Sequence, residues 1–383
     1  MLPNSTDVLV VGAGPIGLAT AATLATRGIN VTVVDQAEQG ANTSRAAVVH
    51  AHTLEVLDRI GAAEPLAAQG IHAPRFTVRD RDRILVPVRF DNLPTRYPYA
   101  LMVPQPVTEG VLHDRLVALG GRVLRPYQLV GLDRDGAGAT ATFADGAAVR
   151  VRYLVGADGM HSAVRRLAGI GFGEAGDEGE SFTLADVRVD SDLPRDEVIL
   201  FFSGAGMLVW APIPGDDLVR IVAAVPTAPE RPDRSFVQLL LDHRGPARRR
   251  SRIAEVVWGS RFRVHHRVAD RFRVGPVLLA GDAGHVHSPA GGQGMNLGLQ
   301  DAVALGEALA GVLTGGPEAA LDEYAAARRP VAHEVVRFAD RLTRLATAPA
   351  GLRAARNLTL RGLATVPAFR TNLAHRLSGL VYR

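Results

Sequence analysis

At 383 residues the chain is long enough for two or three domains and for a core of enzyme size. Its 47% apolar and 21% charged content describes a soluble globular protein, not a disordered one. It has no cysteine, which excludes disulfide frameworks, thiolate zinc sites and redox dithiols, and all 43 basic residues are arginine, which excludes Schiff-base chemistry on lysine. The net charge of +4 comes with no basic and aromatic stripe, so nucleic acid is not an expected partner. The N-terminus lacks a basic n-region, and the apolar run at 8–11 is too short for a signal segment. No stretch approaches the ~20 apolar residues of a membrane span, so a cytoplasmic protein is expected.

In chain order, a β-branched strand at 7–11 enters a glycine turn, a small-residue helix follows over 15–27 and stops at Gly28, and a second buried strand covers 31–35. A helix is expected over 53–60. Residues 76–78 and 84–90 resemble hairpin strands around a charged turn, and a further helix runs from about 105 to 119. Strands at 122–124, 129–132, 140–143 and 149–155 come next. The region 181–267 is strand-like, with alternating runs at 182–189, 198–202, 207–213 and 218–225; a block without βα alternation predicts a separate sheet. A short buried strand at 277–280 precedes a long helix over 291–312. After the turn Gly315-Gly316-Pro317 two helices are expected, the second striped at Val331, Val335, Phe338, Leu342 and Leu345. Asp340 is the last acid, and eight arginines follow it.

Gly12, Gly14 and Gly17 follow the first strand and open the first helix. The first glycine permits the tight turn, the second lets backbone approach a pyrophosphate, and the third lets helix and strand pack closely. The helix N-terminus offers N–H groups and a positive dipole end to phosphate. Asp35 closes the second strand, where a carboxylate can take both ribose hydroxyls and disfavours a 2′-phosphate. This fingerprint alone leaves NAD, NADP and FAD open. Gly281-Asp282, after the strand at 277–280, narrows the choice to an extended ligand held at both ends, and FAD is the common dinucleotide of that kind. There Asp282 can hold a ribityl hydroxyl, and the 291–296 turn can aim N–H groups at a flavin edge, where reduced flavin develops negative charge. Gly156-Ala157-Asp158-Gly159 ends another strand; alone it also fits a plain Asp-Gly turn with Ser162 as helix N-cap.

Taken together, Gly12–Gly17, Gly156-Asp158-Gly159 and Gly281-Asp282 resemble the three fingerprints of the p-hydroxybenzoate hydroxylase-like, single-component FAD-dependent aromatic monooxygenases. Ser44-Arg45-Ala46 with the block at 52–57, and Pro104-Gln105 with Glu109, match further family blocks. The resemblance covers about residues 5–345. It implies an α/β fold: a Rossmann-like FAD-binding domain of the glutathione reductase type, an inserted β-sheet substrate domain, and a C-terminal helical segment. The expected boundaries are 1–74, 95–175 and 270–345 for the discontinuous FAD domain, 75–94 and 176–269 for the substrate domain, and 346–383 for a helical cap. The chain resembles the family's short form, so no thioredoxin-like C-terminal domain is expected. The resemblance also implies FAD reduced transiently by NADPH or NADH, reaction with O₂ to a flavin C4a-hydroperoxide, and hydroxylation of a phenolic or polycyclic aromatic small molecule, as in antibiotic biosynthesis. By the same resemblance Arg45 lies near the FAD entry channel, Gln105 near the adenosine–pyrophosphate half and Asp158 in the second fingerprint. Asp282 lies on the ribityl–phosphate chain, and Pro289, Gly291, Gly292, Gly294, Met295 and Asn296 frame the isoalloxazine. A monomer or homodimer is expected.

Competing readings are weaker. His285, His287 and Asp282 do not make a metal site, because His-x-His converges only on an extended strand and no second shell accompanies it. His285 reads as loop support. Phe202 and Trp210 are candidates for an aromatic pocket, although ordinary sheet core suits them as well. The run Arg248-Arg249-Arg250-Ser251-Arg252 reads as a solvated loop. Baeyer–Villiger or epoxidising chemistry on the same flavin, and a catalytically silent FAD-binding sensor, are the alternatives. A Rossmann-only dehydrogenase predicts a colourless protein, and a halogenase requires a lysine that this chain does not have.

Overall fold

The computed structural model of the chain describes residues 1–40, 46–173, 181–248, 251–289 and 291–383. Strand Ser5–Val11 is apolar at successive positions, and its Val8, Leu9 and Val10 are fully buried. Such a run suits a strand covered on both faces, the condition of a parallel sheet. It pairs in parallel with Val31–Val34 on one side and Ala148–Gly156 on the other, so that Val10 faces both Val33 and Val155. Val277–Leu279 and Val123–Leu124 extend the parallel set at either end. Antiparallel Leu129–Asp135 and Gly138–Phe143 complete an eight-stranded sheet. Helices Pro15–Thr26 and Gly294–Leu313 cross closely over it, because a Cβ on Gly306 would stand 2.6 Å from the Cβ of Thr23.

A second sheet carries seven strands, in the order Arg252–Arg263, Ser181–Asp190, Leu218–Val225, Gly206–Pro212, Glu197–Ser203, Arg75–Asp80 and Arg83–Arg89. Only Glu197–Ser203 and Arg75–Asp80 run parallel, which inserts the early hairpin into the later sheet. Successive side chains alternate faces. Val198, Leu200, Met207, Ala211 and Val222 turn toward the first sheet, whereas Ile199, Phe201, Leu208, Trp210 and Ile221 turn away. The away face is covered by helix Arg234–Arg244, which begins where Asp233 accepts a 2.7 Å hydrogen bond from the Phe236 N–H. The sequence reading missed this helix inside its strand-like block. It also missed strand Arg252–Arg263, an edge strand with mostly polar and exposed positions that hide its alternation. In the arginine run, Arg248 lies in a loop, Arg252 starts that strand, and residues 249–250 lie outside the described residues.

The two helices expected after residue 317 are one, Ala319–Ala346, with Pro330 inside it. Proline forfeits its bond to the carbonyl of Ala326, but both residues are solvent-exposed, so water can replace that bond. Its buried residues are Leu321, Tyr324, Arg328, Ala332, Val335, Ala339, Thr343 and Ala346; of the expected stripe Val335 is buried, Val331, Phe338 and Leu342 are half-buried, and Leu345 is exposed. Helices Arg353–Ala364 and Pro367–Leu377 then fold onto strand Arg83–Arg89. The buried Arg356 anchors them by donating to the carbonyls of Leu345 and Phe202, each at 2.9 Å. Among the described residues no helix is long and apolar enough to cross a membrane.

Trp210 therefore does not line a pocket beside the first sheet; strand parity places it under helix Arg234–Arg244. Replacing it by alanine should cost ~3–5 kcal/mol of unfolding free energy and leave flavin affinity unchanged. Denaturant titration alongside a flavin-binding isotherm checks both parts.

Candidate functional site

The first glycine loop is shaped by close backbone approach. Gly12 has φ +103°, and a Cβ there would stand 2.3 Å from the Ala157 carbonyl oxygen; one on Gly17 would stand 1.8 Å from the Gly12 oxygen. Gly14 differs, with no atom within 4 Å of its Cβ position, because it faces open space at the helix N-terminus. No side chain caps that terminus. Asp35 braces the loop, accepting from the Ala13 N–H at 2.7 Å and the Ala37 N–H at 2.8 Å, with Arg125 3.2 Å away. The neighbouring Gln36, not Asp35, lines the cavity.

The second loop is built on left-handed glycines. Gly291 and Gly292 have φ of +81° and +65°, and a Cβ on Gly292 would stand 2.3 Å from Val48 Cγ1. Buried Asn296 staples this loop to strand Val48–Val49. Its Oδ1 accepts from the His50 N–H at 2.7 Å, and its Nδ2 donates to the carbonyls of Val48 and Gly292 at 2.9 and 2.7 Å. The Asn296 amide is fully engaged with protein and does not line the cavity; it positions the glycines that do. Helix Gly294–Leu313 starts immediately afterwards, again without a side-chain cap. Gln293 ties the loop to the C-terminal segment by donating to the Leu377 carbonyl at 3.2 Å.

These two uncapped N-termini open on one cavity of about 560 Å³. Gly14, Pro15 and Ile16 line it at one end, and Pro289, Gly291, Gly292, Gly294 and Met295 at the other. Free N–H groups and the positive dipole end at each terminus suit an anionic or electron-rich ligand. Asp282, Asp158 and Gln105 also line the cavity. Asp158 holds its own turn, because its carboxylate accepts from the Ser162 hydroxyl and from the Val164 N–H at 3.1 Å, and Ser162 is the N-cap of helix Ala163–Leu167. Burial raises the Asp158 carboxyl above the usual carboxylate value, with the hydrogen bonds opposing it. Gln105 donates to Glu109 at 2.8 Å and accepts from the Ala46 N–H at 3.4 Å. Arg45 lies outside the described residues.

The facing wall is the second sheet, with Leu184, Val198, Leu200, Met207, Val209 and Val222. Phe202 lies on this face but beyond the cavity, under Arg356, whose guanidinium sits 5.3 Å from its ring centre. The sequence reading overlooked Arg220. It is 1% exposed, lines the cavity, pairs with both Asp186 oxygens at 2.7 Å, and donates to the Ala46 carbonyl at 2.8 Å. Its signal is legible: it is the charged residue at an inward position between Leu218 and Val222. His50, His265 and His287, also overlooked as wall residues, line the cavity too.

Two histidines stay neutral here. His50 Nε2 donates to the Gly291 carbonyl at 2.9 Å, and His287 Nδ1 to the Ser288 carbonyl at 2.8 Å. The opposite ring nitrogens are buried with no partner among the described residues. Burial lowers both to about 4, although the carbonyl bonds act to raise them. His285 is different: its Nε2 lies 2.6 Å from buried Asp301, which also takes a 2.6 Å bond from Arg328. Burial alone would raise the Asp301 carboxyl, but Arg328 and His285 outweigh it and hold it below the carboxylate range. His285 is thereby committed to helix Gly294–Leu313, and no metal-binding group of three side chains occurs among the described residues.

Such a cavity, with two glycine-shaped helix N-termini on one side and an apolar sheet on the other, defines a dinucleotide-binding protein of the flavin hydroxylase fold. Residues 5–339 match the family model for the FAD binding domain, and the chain belongs to that family. It is 40% identical over 359 residues to 6-methylpretetramide 4-monooxygenase of Streptomyces rimosus, covering 91% of this chain and 62% of that protein, so it spans under two thirds of that relative. Two solved structures superpose closely. The anhydrotetracycline hydroxylase OxyS of Streptomyces rimosus has a TM-score of 0.80 and 35% identity, over 98% of this chain and 76% of its own. The p-nitrophenol 4-monooxygenase PnpA of Pseudomonas putida has a TM-score of 0.85 and 25% identity, over 98% and 99%.

The buried histidines give a pH dependence. Their folded value of about 4 lies below the unfolded 6.5, so the unfolded chain takes up protons that the folded one refuses. Their contribution is complete above about pH 6.5 and is lost as pH falls toward about 4, reaching about 2 kcal/mol for each histidine near pH 5. Unfolding free energy measured across this window should fall steeply in the parent chain and less steeply in His287→Gln. Equal slopes would place His287 outside the buried wall.

Proposed function

We propose that this chain is the catalytic body of an NAD(P)H- and O₂-dependent FAD monooxygenase that hydroxylates a phenolic or polycyclic aromatic small molecule. The observation that carries the reading is the single cavity with hydrogen-bond donors on one wall and aliphatic strands on the other. When bound, FAD supplies electron transfer from the nicotinamide and activation of O₂. The chain's own residues do the rest. The helix N-terminus at Gly14 would hold the pyrophosphate, Asp282 would take a ribityl hydroxyl, and the N–H groups after Gly292 would stabilise negative charge at the ring edge; Gly14, Asp282 and Gly292 all line the cavity. Leu184, Leu200, Val209 and Val222 exclude water and stack a flat apolar substrate against the ring. The names of the tetracycline-type relatives favour a fused-ring substrate.

Asp282→Ala should weaken FAD binding about 10- to 100-fold, the loss of one charge-assisted hydrogen bond of ~1.5–3 kcal/mol. Unchanged flavin occupancy after gel filtration would remove Asp282 from the site. For the reaction, the FAD-loaded protein is screened with phenols, naphthols and tetracyclic aromatics for stimulated NADH and NADPH oxidation, and products are weighed. A product heavier by one oxygen on the ring is expected. Oxygen inserted into a carbon–carbon bond would mean Baeyer–Villiger chemistry instead, and flavin binding without any stimulated oxidation would mean a silent flavoprotein.

A further inference from the structure

Beside the flavin cavity a second cleft of about 810 Å³ opens between the hairpin at Gly206, the end of strand Arg252–Arg263 and Thr347. Met207, Phe262 and Arg263 line both spaces, so the two adjoin along the sheet face. Three arginines border the cleft. Arg261 is neutralised by Glu230 at 2.8 Å. Arg244 is not neutralised: it is 7% exposed, and no carboxylate lies within ion-pair distance of it among the described residues. One terminal nitrogen donates to the carbonyls of Met207 and Ala224 at 2.8 and 2.6 Å. Its Nε and other terminal nitrogen have no partner among the described residues, and the exposed Arg263 side chain has none either. The hairpin is shaped around this guanidinium, since a Cβ on Gly206 (φ +119°) would stand 3.1 Å from Arg244 Cζ.

A buried cation with no counter-charge is costly to maintain, and burial already holds Arg244 below the usual arginine range. Carbonyl dipoles offset only part of that cost. A carboxylate or phosphate offers oxygens that match a planar guanidinium in both charge and geometry. We propose that this cleft is an anion site, taking a carboxylate or phosphate on a small molecule whose other end reaches the flavin cavity past Met207 and Phe262. The inference rests on the flavin reading above. The anion has two sources of the same chemistry, an acidic substituent on the aromatic substrate or a phosphate of the nicotinamide dinucleotide.

The test uses the FAD-loaded protein, so that the flavin's own pyrophosphate site is filled, titrated calorimetrically with inorganic pyrophosphate at constant ionic strength. Saturable binding is expected, at least tenfold weaker in Arg244→Gln and in Arg263→Gln. Arg263 makes no side-chain hydrogen bond among the described residues, so its variant separates anion binding from folding. Steady-state kinetics then separate the sources. A raised KM for NADPH with that for NADH unchanged in Arg263→Gln identifies the 2′-phosphate, and weakened stimulation by a naphthoic acid but not by its methyl ester identifies the substrate. Equal pyrophosphate titrations in all three proteins overturn the proposal and leave the flavin reading standing. A chain that takes up no FAD overturns both.

Discussion

Everything in the site depends on two helix N-termini whose first N–H groups have no side-chain cap and open on the same space. An uncapped terminus buried in protein would leave donors unsatisfied, at roughly 1–3 kcal/mol each. The dinucleotide proposed above would satisfy both termini at once. The surrounding architecture keeps them in place: the parallel sheet sets the first helix, and close glycine contacts at Gly298 and Gly306 lock the second against it. Gly298 would bring a Cβ to 2.8 Å from Ile16 Cγ1, so the two termini cannot drift apart without opening the core.

Around these termini polar groups act as staples more than as ligands. Asn296 satisfies three backbone groups across the Gly292 loop and strand Val48–Val49, and Asp35 clamps the first loop through Ala13. The His285–Asp301–Arg328 cluster fixes the turn after Asp282 to both long helices. A buried cluster of this kind adds little net stability over an apolar one, but losing one member leaves charge unpaired, so it enforces a single arrangement. On the opposite wall Arg220 joins Asp186 to the Ala46 carbonyl, linking the second sheet to the segment before strand Val48–Val49.

The misplacement of Trp210 has a geometric cause. A strand's two faces are legible as alternation, but which face meets the cavity is set by what covers the other one. Trp210 shares its parity with Leu208, and helix Arg234–Arg244, unrecognised in the sequence, takes that face. Where two helices were expected after residue 317, one helix Ala319–Ala346 runs through Pro330, because solvent at Ala326 makes the lost bond tolerable. The acid-free tail offered no periodic signal for its role. Its Arg356 and Leu377 act through contacts with residues far away in sequence: Arg356 with the Phe202 carbonyl, and Leu377 with Gln293.

The dinucleotide-binding loops were legible in the sequence alone, because glycines at 12 and 17 and at 281, 291 and 292 answer local needs for positive φ or close approach, and such needs are written in residue type and spacing. Family membership was legible in the same loops, and the family model matches residues 5–339. Tertiary structure alone decided that Asp35 and Asn296 brace the loops, that three histidines enter the cavity wall, and that Arg244 lies buried without an acid among the described residues. Each of those outcomes depends on which distant backbone groups come within 3 Å of a side chain, and spacing along one chain does not encode that distance.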